Sequence, residues 1–398
     1  VIDSAAQLIA EESHWGAPNY EPLAVVISRG QGAWVEDVNG RRYLDCLSAY
    51  SALNYGHCHP RLVAALVDQA QRLTLTSRAF HNDQLPAFCK ELSELIGMEM
   101  VLPMNTGVEA VETAIKVTRR WGYRIKGIPS DQAEIVVCDN NFHGRTTTVV
   151  GFSSEPAYRS DFGPFTPGFR TVPYGDIEAL KAAIGPHTCG FLFEPIQCEG
   201  GVLIPPPGYL KAAADLCRGR GVLLVADEIQ TGLGRTGRML GCDHEGVKPD
   251  IVILGKALAG GLYPVSAVAS RAEILSLMNP GSHGSTFGGN PLGCAVAREA
   301  LRVLRDEGLV ERSAALGNWL LEELANLRHG HLREVRGRGL LIGIELDVRS
   351  RPYCEQLMEA GMLCKETHDH VIRLAPPLIT SHEDLEWALG RLRTVLAE

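Results

Sequence analysis

Two kinds of hydrophobic pattern divide the chain. In LAVVISRGQGAWVEDVNGRRYLDCLSAYS, from Leu23 to Ser51, apolar and polar residues alternate, and Asn39-Gly40 interrupts the alternation. Period-two alternation marks a half-buried strand and Asn-Gly is a two-residue turn signal, so a β-hairpin or small meander is predicted there. From about Pro60 the alternation stops. Short apolar runs (AEIVVCDN, CGFLFEPIQ, VLLVADE, IVILGKA) are set between stretches with apolar residues three and four apart (RLVAALVDQAQRL, AFCKELSELIG, GVEAVETAIKVTRRWGY, LKAAADLCRGRG). A strand without alternation is apolar on both faces. The pattern therefore predicts an α/β fold with a mainly parallel central sheet and helices on both of its faces.

After Asn290 the helical period returns, then a strand pair is predicted in REVRGRGLLIGIELD and DHVIRLAPPL. The last helix opens at Ser381 with Asp384 three residues on, a capping pattern, and carries Leu385, Leu389, Leu392 and Leu396 along one face. These pieces fit a smaller α+β domain. At 398 residues the chain exceeds the size at which a single core keeps growing. The expected organisation is an N-terminal segment with a β-hairpin (1–45) joining the small domain, a large α/β domain (46–290) and a C-terminal small α+β domain (291–398).

Composition narrows the function classes. Hydrophobic residues make up 45% and charged residues 21%, the profile of an ordered globular protein, and the net charge is -9. Phosphate-backbone and anionic-membrane surfaces need clustered cations, so no nucleic-acid or membrane partner is expected. No apolar run approaches the ~20 residues of a membrane span, and VIDSAAQLIAEESHWG lacks the basic-then-apolar order of a secretory signal. The expected location is cytoplasmic, and the missing initial methionine leaves a removed leader open. The 11 cysteines are scattered without a CxxC pair, which favours reduced thiols over disulfides or a metal site.

Chemistry concentrates where apolar runs end. In parallel α/β sheets ligands sit beyond the carboxyl ends of strands, where helix N-termini present free N–H groups. VLPMNTGVEAVETAIK runs into a helix through Gly107, which would let an anion approach the N–H groups of Gly107 and Val108; an ordinary capped helix is the plain alternative. In DNNFHGRTTT, Phe142 and His143 sit in a turn after a strand, where an aromatic ring either stacks on a flat ligand or packs at a loop edge. Asp227 ends LLVAD and Lys256 ends IVILG, each beyond an apolar run. A buried carboxylate seeks a cation, and a lysine in a dry pocket becomes nucleophilic toward carbonyls. Taken singly, each has a structural explanation. Pyridoxal 5'-phosphate uses all four features together: a phosphate cup, a stacking ring, a carboxylate for its pyridine nitrogen and a lysine for its carbonyl.

The stretches YSALNYGHCHP, LTSRAF, MNTGVEAVETAIK, NFHGRT, FGPFTPGF, EPIQCEGGV, ADEIQTGLGRTG, LGKALAGGLYPVSAV, HGSTFGGNPLGCAVA and VIRLAPPL, in this order, resemble those of the class-III, fold-type I pyridoxal-phosphate aminotransferases. The likeness spans nearly the whole chain and is strongest to the members that act on ornithine. It implies transfer of the δ-amino group of L-ornithine to 2-oxoglutarate, giving glutamate-5-semialdehyde and glutamate. It further implies that Lys256 bonds the cofactor and shuttles a proton, and that Asp227 keeps the ring nitrogen protonated. Phe142 and Ile229 would cover the two ring faces, with His143 beside them, Gln230 would reach the phenolic oxygen, and Gly107 and Val108 would hold the phosphate. Thr286 is similar to the threonine that reaches the phosphate of the neighbouring subunit, which implies a homodimer.

For the substrates, Arg373 resembles the arginine that grips the α-carboxylate of glutamate, and Glu199 the glutamate that masks it while the diamine is bound. Arg145 resembles the arginine for the distal carboxylate of ornithine, and Tyr50 the tyrosine near its α-amino group. His81, in SRAFHND, stands where a tyrosine is expected, and Tyr55 where a smaller polar residue is expected. The His81 departure keeps N-acetylornithine, 4-aminobutyrate, lysine or another diamine as alternative donors. A racemase on the same fold would not need the Glu199–Arg373 pair, and a non-catalytic homologue would not need both Lys256 and Asp227.

Overall fold

A computed structural model describes residues 4–396. The alternating N-terminal stretch forms a meander of β1 (Ile27–Gln31), β2 (Trp34–Asp37) and β3 (Arg42–Asp45), antiparallel throughout. Gly40, at φ +83°, lies in the turn that joins β2 to β3. The central sheet is built from β4 (Met100–Met104), β5 (Glu134–Cys138), β6 (Phe169–Val172), β7 (Thr188–Phe193), β8 (Leu223–Asp227), β9 (Ile251–Leu254) and β10 (Ser266–Ser270). Its order is β4-β10-β9-β8-β7-β5-β6. A third sheet combines β11 (Leu332–Arg338), β12 (Leu341–Leu346), β14 (Lys365–Thr367) and β15 (Val371–Leu374) in the order β11-β12-β15-β14, while β13 (Met362–Leu363) pairs with β3 instead.

The two-faced burial read from the strand runs has a direct structural counterpart. In β8 every residue is buried; Leu223 and Val225 pack on the side of the helix Gly107–Trp121, whereas Leu224 and Ala226 join Leu180, Leu210, Ala213 and Cys217 on the other side. Burying a Leu or Val side chain completely contributes about 1.5–3 kcal/mol, so a strand apolar on both faces is held in the middle of the sheet rather than at its edge. The sheet departs from the parallel expectation at one place. β10 runs antiparallel to both β4 and β9. The cause is the Gly260-Gly261 pair, at φ +65° and +72°, which turns the chain back after Lys256 so that residues 266–270 fill the gap between β9 and β4.

The helix His382–Val395 is capped by Ser381, whose hydroxyl accepts the Asp384 N–H at 3.0 Å, and buries Leu385, Leu389 and Leu392. Asp384 in turn accepts the indole N–H of Trp34 at 3.0 Å, and Trp34 meets Trp387 edge-on at 5.2 Å. The N-terminal meander therefore packs on the C-terminal elements, through this aromatic contact and the β3–β13 pairing. Among the described residues no helix is long and apolar enough to cross a membrane, and all 11 cysteines are free.

Candidate active site

Because β10 is antiparallel to both β4 and β9, those two strands run the same way as β8, β7, β5 and β6, and their carboxyl ends share one edge. Six residues just beyond or at those ends, Gly107, Phe142, Glu194, Asp227, Ile229 and Lys256, line a cavity of about 200 Å³ together with Val108, His143 and Gln230. The helix Gly107–Trp121 opens onto it. Thr106 precedes that helix, and its N–H is capped by Glu109 at 2.7 Å, which leaves the N–H groups of the first turn facing the cavity. A Cβ on Gly107 would stand 3.1 Å from Ile229 Cδ1, so a side chain there would crowd the residue that forms one wall.

Asp227, 4% exposed, spends one oxygen on His143 Nδ1 at 2.7 Å and the other on the Ile229 N–H at 3.1 Å, and keeps lone pairs toward the cavity. Two buried polar atoms beside it, His143 Nε2 and Gln230 Oε1, have no protein partner. Burial lowers the Lys256 amine to about 8, with Arg373 pushing the same way and Glu199 opposing; its Nζ donates to the Tyr50 carbonyl at 2.9 Å. Lys256 itself is held at φ +45°, a left-handed conformation that costs a non-glycine residue on the order of 1 kcal/mol. The site contains a further carboxyl. Burial, together with Asp227, pushes Glu194 well above the usual carboxylate range against the pull of the Phe142 N–H, which it accepts at 3.0 Å.

A second cavity of about 490 Å³ opens beside the first and is lined by Tyr20, Tyr50, Arg145, Tyr158, Glu199 and Arg373 among others. Arg373, in the middle of β15 and 1% exposed, donates to Glu199 Oε1 at 2.7 Å. Burial by itself would raise the Glu199 carboxyl, but Arg373 and then Lys256 outweigh it and hold the group below its ordinary value. Gln230 adds a long contact to the same oxygen at 3.4 Å. The Arg373 guanidinium lies over the Tyr50 ring at 4.7 Å, and Arg145, exposed, lies over Tyr158 at 3.7 Å. Tyr50 is carried on a turn, Ser48 to Ser51, in which all four residues have positive φ, and Asp45 caps its start by accepting from the N–H groups of Leu47 and Ser48.

The structure brings twelve of the sequence-derived residues to these two cavities: Gly107, Val108, Phe142, His143, Asp227, Ile229, Gln230 and Lys256 in the first, Tyr50, Arg145, Glu199 and Arg373 in the second. Thr286 lies outside both and is exposed. His81 also lies outside both, exposed on the loop before the helix Leu85–Ile96, where Asn82 ties that loop to the Gly289 carbonyl at 3.2 Å. The aromatic groups at the second cavity are instead Tyr50, Tyr158 and Tyr20. Sequence reasoning missed Tyr20, Tyr158 and Glu194. Tyr20 sits in an extended Asn-Tyr-Glu-Pro stretch with no periodicity to mark it, held by Arg351 on the carbonyls of Glu21 and Pro22. Glu194 directly follows β7, the strand-end position that singled out Asp227, and that signal could have found it. Among the described residues no group of three or more His, Cys, Asp or Glu is placed to hold a metal ion.

The sequence pattern of the family described as "Aminotransferase class-III" matches residues 15–396. An ornithine aminotransferase of Brevibacillus brevis is 60% identical over 389 residues, 98% of this chain and 98% of that protein. Among solved structures, the ornithine aminotransferase of Toxoplasma gondii, seen with pyridoxal phosphate at partial occupancy in its active site, superimposes with a TM-score of 0.98 at 47% identity, covering 99% of this chain and 94% of that one. An acetylornithine aminotransferase of Elizabethkingia anophelis follows with a TM-score of 0.91 at 45% identity, covering 99% of each.

Proposed function

The chain belongs to the class-III aminotransferases, and on that premise we propose that it moves the δ-amino group of L-ornithine onto 2-oxoglutarate, producing glutamate-5-semialdehyde and glutamate. Its cofactor is pyridoxal phosphate. The first cavity fits that group on its own chemistry: a helix N-terminus for a phosphate, a buried carboxylate with lone pairs to spare, a Gln230 amide N–H engaged only in a 3.4 Å contact, and an amine of lowered basicity. When bound, the cofactor supplies a carbonyl that takes up amines and a ring that withdraws electrons from the neighbouring carbon.

In this reading Asp227, oriented by His143, holds a proton on the ring nitrogen, and Phe142 and Ile229 enclose the ring. The N–H groups of Gly107 and Val108 take the phosphate, and Gln230 the phenolic oxygen. Lys256 Nζ, whose basicity burial lowers, would remove and return the proton at the substrate carbon. Its attachment just beyond β9 places that nitrogen at the wall of the first cavity.

The observation that carries the substrate assignment is the 2.7 Å Glu199–Arg373 pair at the junction of the two cavities. One site must accept an ω-amine and then a dicarboxylate. With the amine donor bound, Glu199 neutralises Arg373; with 2-oxoglutarate bound, the substrate carboxylate replaces Glu199, so neither buried charge is left alone. Arg145 would take the carboxylate of ornithine, with Tyr50 and Tyr20 alongside. Glu155, Glu366 and Asp369 also line this cavity, and acidic side chains suit a free α-ammonium better than an acetylated one, which supports ornithine over N-acetylornithine.

A homodimer is part of the proposal, with Thr286 serving the neighbouring site. The exposure of Thr286 beside Phe287, 50% exposed, and of Phe80, 73% exposed, supports it. Eleven free cysteines support a cytoplasmic setting. The test is single-turnover bleaching of the cofactor absorbance by L-ornithine, N-acetylornithine, 4-aminobutyrate and L-lysine, followed by 2-oxoglutarate. Ornithine should react fastest and 2-oxoglutarate should restore the band; a clear win by another amine would reassign the donor.

A further inference from the structure

Arg235 heads the fully buried side chains by size, at 0% exposure, and among the described residues no carboxylate pairs with it. Its burial pulls the guanidinium down to about 9, which still leaves it charged at neutral pH. A charge kept in the interior without a counter-ion has to be satisfied by neutral acceptors. The two terminal nitrogens of the fork do so, Nε having no protein partner, with carbonyl oxygens from separate segments: NH1 donates to Leu340 O at 2.9 Å and to Pro376 O at 2.5 Å, and NH2 donates to Asn54 Oδ1 at 2.5 Å. The Arg235 carbonyl accepts in return from the Leu340 N–H at 3.1 Å and the Ser313 hydroxyl at 3.0 Å. Asn54 closes the network, giving its side-chain N–H to Leu233 O at 3.1 Å and accepting the Leu378 N–H at 2.7 Å.

Two of these segments carry a residue of the second cavity, and the other two adjoin the site. Pro376 lies just beyond β15 and its Arg373; Asn54 lies just beyond the left-handed turn that presents Tyr50; Leu340 leads into β12, whose Gly343 pairs with Arg373; and Arg235 continues the loop that bears Gln230. We infer that Arg235 is a positioning residue for the dicarboxylate half of the reaction, fixing Arg373 relative to Glu199 by joining the chain behind β15 to the chain that leads into β12. The inference rests on reading Arg373 as the anchor for 2-oxoglutarate. Arginine is required because a planar fork reaches three acceptors at once, whereas a lysine offers a single nitrogen. No residue of the network lines the cofactor cavity itself, and the Pro376 carbonyl behind Arg373 is held by Arg235 directly, so its loss should fall chiefly on the dicarboxylate half-reaction.

The experiment compares wild-type holoenzyme with Arg235→Lys and Arg235→Gln. Glutarate, a non-reacting dicarboxylate, is titrated against the cofactor absorbance, and the two half-reactions are timed separately. Glutarate Kd and the KM for 2-oxoglutarate should rise about tenfold or more in both variants, Lys giving no rescue, while the amine-donor half-reaction stays within about threefold of wild type. Should Arg235→Gln not fold, Asn54→Ser, which removes one acceptor and keeps Arg235, should show the same split in smaller measure. A parallel loss in both half-reactions, or an unchanged glutarate Kd in a folded variant, overturns the positioning role. Glutarate binding needs no amine donor, so an error over ornithine leaves the result readable, while a wild-type enzyme that fails to bind glutarate removes the Arg373 reading and this inference with it.

Discussion

Replacing Glu199 by glutamine separates the charge of the Glu199–Arg373 pair from its shape. The pair spans 2.7 Å with Arg373 1% exposed, and at an effective dielectric of about 20 its direct attraction is on the order of 6 kcal/mol. Most of that attraction cancels when a substrate carboxylate replaces Glu199, because one charged hydrogen bond is exchanged for another. In Glu199→Gln the incoming carboxylate instead displaces a neutral amide, and the gain is the difference between a charged and a neutral hydrogen bond, about 1–2 kcal/mol. Glutarate should therefore bind about tenfold more tightly to the variant. The same change leaves Arg373 buried without its counter-charge, so the folded state should lose about 3 kcal/mol, read from urea denaturation of the holoenzyme. Uncovered Arg373 should also draw in the carboxylate of α-amino acids, raising the single-turnover rate with glutamate relative to ornithine. The sign of the pH dependence follows from the lowered Glu199 carboxyl: the pair is intact at neutral pH, its contribution is complete above the ordinary carboxylate range, and it fades as pH falls through the folded value below that range. A glutarate Kd that is unchanged or weaker in Glu199→Gln would refute the masking role.

Lys256→Ala should abolish transamination while pyridoxal phosphate stays bound without a covalent link, as absorbance and intact mass would show; steady turnover would remove Lys256 from the mechanism. In the cofactor-free protein the Lys256 amine is lowered from 10.5 to about 8, so the unfolded chain binds the extra proton between those values and the lysine destabilises the fold below about pH 8. Lys256→Met should accordingly gain stability on the order of 3 kcal/mol at pH 7 and lose that advantage as pH rises toward 10.5, and an equal gain at both pH values would count against the lowered amine. His143→Ala strips the 2.7 Å partner from Asp227 and should weaken cofactor binding about tenfold by equilibrium dialysis; unchanged binding would mean that Asp227 needs no support. Mixed dimers of Lys256→Ala with Thr286→Ala subunits should regain the cofactor affinity that Thr286→Ala dimers lack, since the intact lysine then meets an intact threonine from its neighbour; no recovery would place Thr286 in its own subunit.

The chain's own pattern determined the elements and the strand-end chemistry. Runs such as LLVAD are apolar without alternation because β8 is covered on both faces, and that burial is written locally in five consecutive residues. The same logic located Asp227 and Lys256, since a charged residue that ends a buried strand has to meet either solvent or a site. Local pattern has no information about which ends meet. The tertiary structure alone decided that β10 returns antiparallel after Gly260-Gly261, that Tyr20 and not His81 lines the second cavity, and that Arg235 gathers carbonyls from three distant segments. Glu199 and Arg373 are 174 positions apart, and no spacing rule connects them; only the resemblance to a family joined them beforehand. The physical reason is one of range: periodicity records how each element is buried, whereas a site is made of contacts between elements, and those are selected by the packing of the whole chain.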